Sequence, residues 1–203
     1  MKARLGSVPL HISFPFVAFT TCLLLMDASG TAAWGLLAAA AHEAGHLLVL
    51  FCGQTPPKEI RIQLFDLAIV DGGSSGRSYK QDIALYFAGP AVNLLMAAVF
   101  YALYCLWKLP FFPTFASINL LLGLFNLLPV EALDGGQILY ALLAPGLGEL
   151  RAERAVVLLS FFVLLPLAAL GFFILLRSQY NYTLLLLSCY LMAALLFKRK
   201  NWG

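Results

Sequence analysis

Residues 38–50 read AAAAHEAGHLLVL. Two imidazoles and a carboxylate, His42, Glu43 and His46, interrupt a run that is otherwise alanine, glycine, leucine and valine. The chain around them is apolar throughout. Of its 203 residues 62% are hydrophobic and 11% charged, with a mean hydropathy of +0.88. A soluble domain carries roughly 45–50% apolar and about 25% charged residues. Apolar blocks of about 20 residues recur along the sequence, the length at which a helix crosses a bilayer. His42, Glu43 and His46 are therefore expected inside a membrane helix. Ionisable groups cost roughly 2.5–3.5 kcal/mol each there, so they point to function.

Six candidate spans run approximately from Leu10 to Asp27, Thr31 to Cys52, Ile83 to Trp107, Phe112 to Pro129, Ala155 to Leu176 and Tyr180 to Phe197. The first follows MKAR and precedes Ala28-Ser29-Gly30, as a secretory signal would; its length, His11 and Pro15 favour a retained span. Eleven of the 13 Lys and Arg residues fall on one side of this arrangement, and only Lys108 and Arg177 on the other. The positive-inside rule then makes both termini cytoplasmic. The expected fold is an all-α polytopic membrane protein in a bacterial cell membrane, a single domain over 1–203 with a catalytic core at approximately 31–136. The net charge of +3 reflects topology, and no basic patch suggests nucleic acid. Cys22, Cys52, Cys105 and Cys189 are scattered without a CxxC pair and read as packing residues.

The main extra-membrane connection, approximately 53–82, begins PPKEIRIQLFDLAIV. Ile60, Ile62 and Leu64 alternate with Arg61 and Gln63, and LAIV follows Phe65-Asp66. The pattern predicts a short membrane-associated β-hairpin on the cytoplasmic side, closed by GGSSGRS.

On a helix, positions 42 and 46 lie about 40° apart and one turn apart in height, so both imidazoles can reach one metal ion. Glu43 projects to the side, where it can touch a metal-bound water. This is the HExxH pattern, two His for zinc and Glu as general base. A catalytic zinc usually takes a third protein ligand. His11, in PLHISF, has no polar company and suits packing or an interfacial role. Asp134 is the stronger candidate: in NLLPVEALDGGQ, Pro129 should break the fourth span and Gly135-Gly136 allow a close turn. Glu131 is the rival carboxylate. At 1.5 Å per residue, His46 lies about 9 Å, His42 about 15 Å and Asn93 about 15 Å from the cytoplasmic face, the depth near which Pro129 breaks its helix.

HEAGH in the second span, Gly89 to Asn93 in the third and NLLPVEALDGG in the fourth resemble the site-2 protease family of intramembrane zinc metalloproteases. They cover roughly half the chain in the family's order. The resemblance implies zinc ligands His42, His46 and Asp134, one Zn²⁺ per chain, and Glu43 as catalytic base. Asn126 and Pro129 match its Asn-x-x-Pro element and Asn93 its Gly-x-x-x-Asn element. These three would support the substrate or transition state, although Gly89 and Asn93 could equally form a close-packed helix seam. The span count is most similar to the stage IV sporulation protease branch. That branch typically carries a CBS domain after the last span; here the sequence ends at KRKNWG, and no PDZ domain separates the motifs.

The expected activity is cleavage of transmembrane segments in membrane-bound substrate proteins, with a membrane-bound regulatory protein as a further partner. Two rivals are a metal transporter using the same three residues and an inactive scaffolding relative. The first should show inverted repeats, which are not found, and the second has no need of Glu43. An unwound substrate must also satisfy its main-chain groups inside the membrane. Residues Ile60, Arg61, Ile62 and Gln63 are expected to pair with it as an exposed strand edge.

Overall fold

The computed structural model describes residues 2–5, 8–53, 59–62, 67–70, 77–178 and 182–200. In order, the elements are β1 (Lys2–Leu5), β2 (Val8–Ile12), α1 (Phe14–Met26), α2 (Thr31–Cys52), β3 (Glu59–Ile62), β4 (Leu67–Val70), α3 (Tyr79–Trp107), α4 (Phe111–Asn126), α5 (Asp134–Leu147), α6 (Glu149–Ser178) and α7 (Thr183–Lys200). Helices α2, α3 and α6 are long and apolar enough to cross a membrane; Phe14–Met26, Phe111–Asn126 and Thr183–Leu196 are shorter apolar helices. Large apolar side chains such as Leu95, Leu121 and Phe162 are exposed. That is unfavourable in water and expected against lipid, so the chain is an integral membrane protein.

The first and fourth expected spans differ from the helices that form in ways that bear on the site. Leu10–Ile12 belong to β2, so the first apolar helix starts at Phe14 and runs for 13 residues. At about 20 Å it is shorter than a bilayer core of about 30 Å. Ser13 caps it, accepting from the Phe16 N–H at 3.4 Å, and Pro15 lies in the first turn, where a missing N–H costs nothing. Helix α4 stops at Asn126, three residues before Pro129. Helix α5 follows the proline turn as a separate element that hydropathy alone did not mark.

The strands form one sheet in the order β1-β2-β3-β4. β3 and β4 pair antiparallel, Glu59 opposite Val70 and Ile62 opposite Leu67. On its other side β3 pairs parallel with β2, Leu10 opposite Ile60 and His11 opposite Arg61. β3 is thus an interior strand. Its main-chain groups already have neighbours on both sides, so Ile60, Arg61 and Ile62 do not form the exposed edge expected from the sequence. The edges are β1 and β4; Gln63 lies outside the described residues.

The fold divides into two compact units, residues 1–78 with 88–124, and residues 79–87 with 125–203. The first holds the sheet, α1, α2 and most of α3 and α4. Its aromatic core places Trp34 flat against Phe111 at 6.0 Å and Phe100 edge-on to Phe115 at 4.6 Å. Asp27 covers the start of α2: its carboxylate accepts the Ala32 N–H at 2.7 Å and the Ser29 hydroxyl at 2.7 Å. The Ser29 hydroxyl foremost, with the N–H groups of Ala32, Ala33 and Ser29, holds the Asp27 carboxyl below the usual aspartate range. The second unit packs Val130, Leu164, Leu191 and Leu195 into a buried cluster.

Candidate functional site

Helix α2 carries His42 and His46 on one buried face, one turn apart. The two rings meet edge to face at 80°, and their Nε2 atoms are 3.2 Å apart. Two nitrogens bound to one tetrahedral zinc at about 2.0–2.1 Å would be about 3.3 Å apart, so the pair fits a single ion. Room for it comes from α3. A Cβ added at Gly89 would collide with His46 Nε2 and lie 2.7 Å from His42 Nε2. The missing side chain of Gly89 is what opens the space in front of both nitrogens. Glu43 is half-buried on the adjoining face of α2.

Asn93, one turn beyond Gly89 on α3, is fully buried. Its Oδ1 lies 2.6 Å from His42 Nδ1. Its amide donates to the Ala38 carbonyl at 3.1 Å and to Asn119 Oδ1 at 2.9 Å. Both amide hydrogens are engaged inside the helix packing, so Asn93 has none to offer a substrate oxygen.

In the other unit, Asp134 is the first residue of α5, half-buried at the helix N-terminus, where backbone N–H groups favour a carboxylate. The turn that delivers it is tightly held. Ser160 on α6 accepts the Glu131 N–H at 2.8 Å and donates to the Val156 carbonyl at 2.7 Å. Gln137 Nε2 donates to the Glu131 carbonyl at 2.7 Å. A side chain at Gly135 would meet the Leu127 carbonyl, and one at Gly136 the Val130 carbonyl, so the turn closes only around glycines. Pro129 sits within this turn and Asn126 ends α4 before it, both half-buried. By donor type, His42 and His46 offer two ring nitrogens and Asp134 a carboxylate oxygen. That donor set suits a catalytic zinc with one position left for water.

Two residues that matter here escaped the sequence reading. Asn119 is a fully buried amide in the apolar run SINLLLG, and the reasoning that singled out Asn93 applies to it equally. Ser160 gave no signal, because a lone serine in a membrane helix usually bonds to its own backbone.

Residues 107–167 match the sequence model of Peptidase family M50, a stretch that includes the turn at Asp134 and not the pair on α2. Over 146 residues, or 64% of this chain, the sequence is 34% identical to Rip3 of Mycobacterium tuberculosis, named as a candidate zinc metalloprotease; the match covers 37% of that protein. It is 23% identical over 167 residues, 74% of this chain, to the zinc metalloprotease MJ0392 of Methanocaldococcus jannaschii, covering 47% of it. These matches span less than half the length of either relative. The fold is similar to that of the site-2 protease from Methanocaldococcus jannaschii, with a TM-score of 0.67 and 22% identity, over 94% of this chain and 91% of that one. The chain is a membrane protein with the site-2 protease fold. Its sequence is similar to Peptidase family M50 over residues 107–167.

Proposed function

We propose that the chain is an intramembrane zinc endopeptidase that cuts the membrane segments of other membrane proteins. The observation that carries this reading is the buried pair of Nε2 atoms at 3.2 Å, with Glu43 beside them on the same helix. The zinc metalloprotease names of the relatives agree with it. His42 and His46 would hold the ion from α2, and Asp134 is the proposed third ligand, in preference to Glu131. Zinc bound there supplies Lewis acidity and makes a water nucleophilic near neutral pH. Glu43 would serve as the base, holding the proton released when water adds to the peptide carbonyl and passing it to the leaving amine as the C–N bond breaks. The whole of 1–203 acts as one protease domain in this reading. Asn126 and Pro129 serve it by shaping the turn ahead of Asp134.

A helical substrate must unwind to expose its carbonyl, and the freed main chain needs partners. The sheet has two edges that can supply them, β1 and β4. The proposal includes six crossings with both termini cytoplasmic, supported by the eleven-to-two distribution of basic residues. Reporter fusions after residue 78 and at the C-terminus should both read cytoplasmic; an external signal at either would overturn this orientation.

The decisive experiment is mass spectrometry of candidate membrane proteins co-expressed with the wild type and with Glu43→Gln. Truncated products made only by the wild type, with equal zinc in both proteins, are expected. Products that persist in the Glu43→Gln variant would refute the assignment of the base.

A further inference from the structure

A neutral imidazole has one nitrogen that donates and one that accepts, and a metal needs the second kind. For His42 the choice is made behind the ring, at Nδ1, which lies 2.6 Å from Asn93 Oδ1. What faces Nδ1 depends on which way round the Asn93 amide sits. As observed, one amide hydrogen goes to the Ala38 carbonyl at 3.1 Å and the other to Asn119 Oδ1 at 2.9 Å. Rotating the amide by half a turn would set its oxygen against both of those acceptors. Asn119 is itself fixed, because its Nδ2 donates at 2.9 Å to the Phe115 carbonyl one turn earlier on α4. Asn93 and Asn119 are both fully buried, so water cannot replace a lost partner.

From this chain of bonds we infer that Asn119 is a positioning residue of the proposed metal site: acting through Asn93, it holds His42 as the Nδ1–H tautomer and keeps Nε2 unprotonated. The inference deepens the zinc reading and rests on it. The order of events runs from α4 to α2. The Phe115 carbonyl orients Asn119, Asn119 and the Ala38 carbonyl orient Asn93, and an oxygen facing Nδ1 can only accept. His42 must then donate from Nδ1. Partners that orient a metal-binding histidine typically matter by 10–100-fold in metal affinity. Asn119 acts one bond further out and shares its task with the Ala38 carbonyl, so an effect near the lower end, about tenfold, is expected.

The test uses the full chain in lipid bilayers, metal-free, at neutral to mildly alkaline pH and with ¹⁵N-labelled histidine. The chain has three histidines, so substituting His11 and His46 singly assigns the His42 signals. The wild type should carry its His42 proton on Nδ1. Asn119→Leu should populate the Nε2–H form and weaken zinc binding about tenfold in chelator competition. Asn119→Asp, which keeps an oxygen towards Asn93, should restore both. A wild-type His42 protonated at Nε2 overturns the inference, and that measurement needs no variant to fold. Unchanged tautomer and zinc affinity in Asn119→Leu overturns it equally. A wild type that takes up no zinc would refute the zinc reading instead, while the tautomer measurement would still decide the role of Asn119.

Discussion

Gly89 on α3 stands so close to His46 that a single methyl group there would collide with its Nε2. The same methyl would lie 2.7 Å from His42 Nε2. Alanine is the better helix former by about 1 kcal/mol, so Gly89→Ala should not unwind α3. It should expel the metal. Zinc content measured by mass spectrometry is expected to drop from about one per chain to a small fraction of that, with helicity by circular dichroism unchanged. A variant retaining full zinc would mean that the two rings can retreat.

The carboxylates of Asp134 and Glu131 should respond differently to truncation. The Glu131 main chain is held by Ser160 and Gln137, and those bonds survive a change to alanine. Glu131→Ala should therefore keep its zinc, whereas Asp134→Ala should lose most of it. Loss of metal in the first variant and not the second would show that the third ligand is Glu131. Ser160→Ala tests the support itself. Leaving the Glu131 N–H without its acceptor should cost about 1–3 kcal/mol in unfolding experiments.

Strand addition by the substrate makes a prediction that depends on the order of the sheet. Proline at position 62 strikes an interior strand and should damage the sheet itself. On β4, proline at Ala68 or Ile69 removes one N–H, and only one of those two positions faces the free edge. The outward variant should fold, bind zinc and fail to cleave. Normal cleavage by both β4 variants, and by the equivalent pair on β1, would rule out pairing with this sheet.

Acid should reveal Asp27. Its folded pKa is depressed, foremost by the Ser29 hydroxyl. The stabilisation is therefore fully present above the ordinary aspartate pKa of about 3.9 and is lost as pH falls through the lower folded value. In metal-free protein, the melting temperature of the wild type should fall over that range relative to Asp27→Asn, which cannot titrate. Parallel curves for the two proteins would show that the cap contributes nothing through its charge.

Much of the site could be read from single residues because the membrane makes polar groups rare and costly. His42, Glu43, His46, Asn93 and Asp134 stand out against leucine and alanine in a way they would not in a soluble chain. The roles of neighbours were less legible. Asn93 was visible, but that its oxygen faces an imidazole while both its hydrogens are engaged follows only from the packing of α2, α3 and α4. Gly45, at a position the HExxH pattern leaves free, is fixed by contact: a Cβ there would be 2.7 Å from the Ala88 carbonyl. The interior position of β3 was hidden for another reason. Its second neighbour is β2, whose residues look like the start of a span when hydropathy alone is considered.

The parallel pairing of β2 with β3 joins residues 10–12 to residues 60–62, and the chain between them contains all of α1 and α2. Contacts so far apart in sequence form late, because the intervening loop must close first. During synthesis the amino-terminal strands appear before either helix, yet β2 has no parallel partner until α2 has been made and β3 has followed it. The helix bearing His42 and His46 is thus translated before its sheet can close. An amino-terminal fusion that delays or tethers residues 2–12 would leave β3 with one open side while every residue of the metal site is intact.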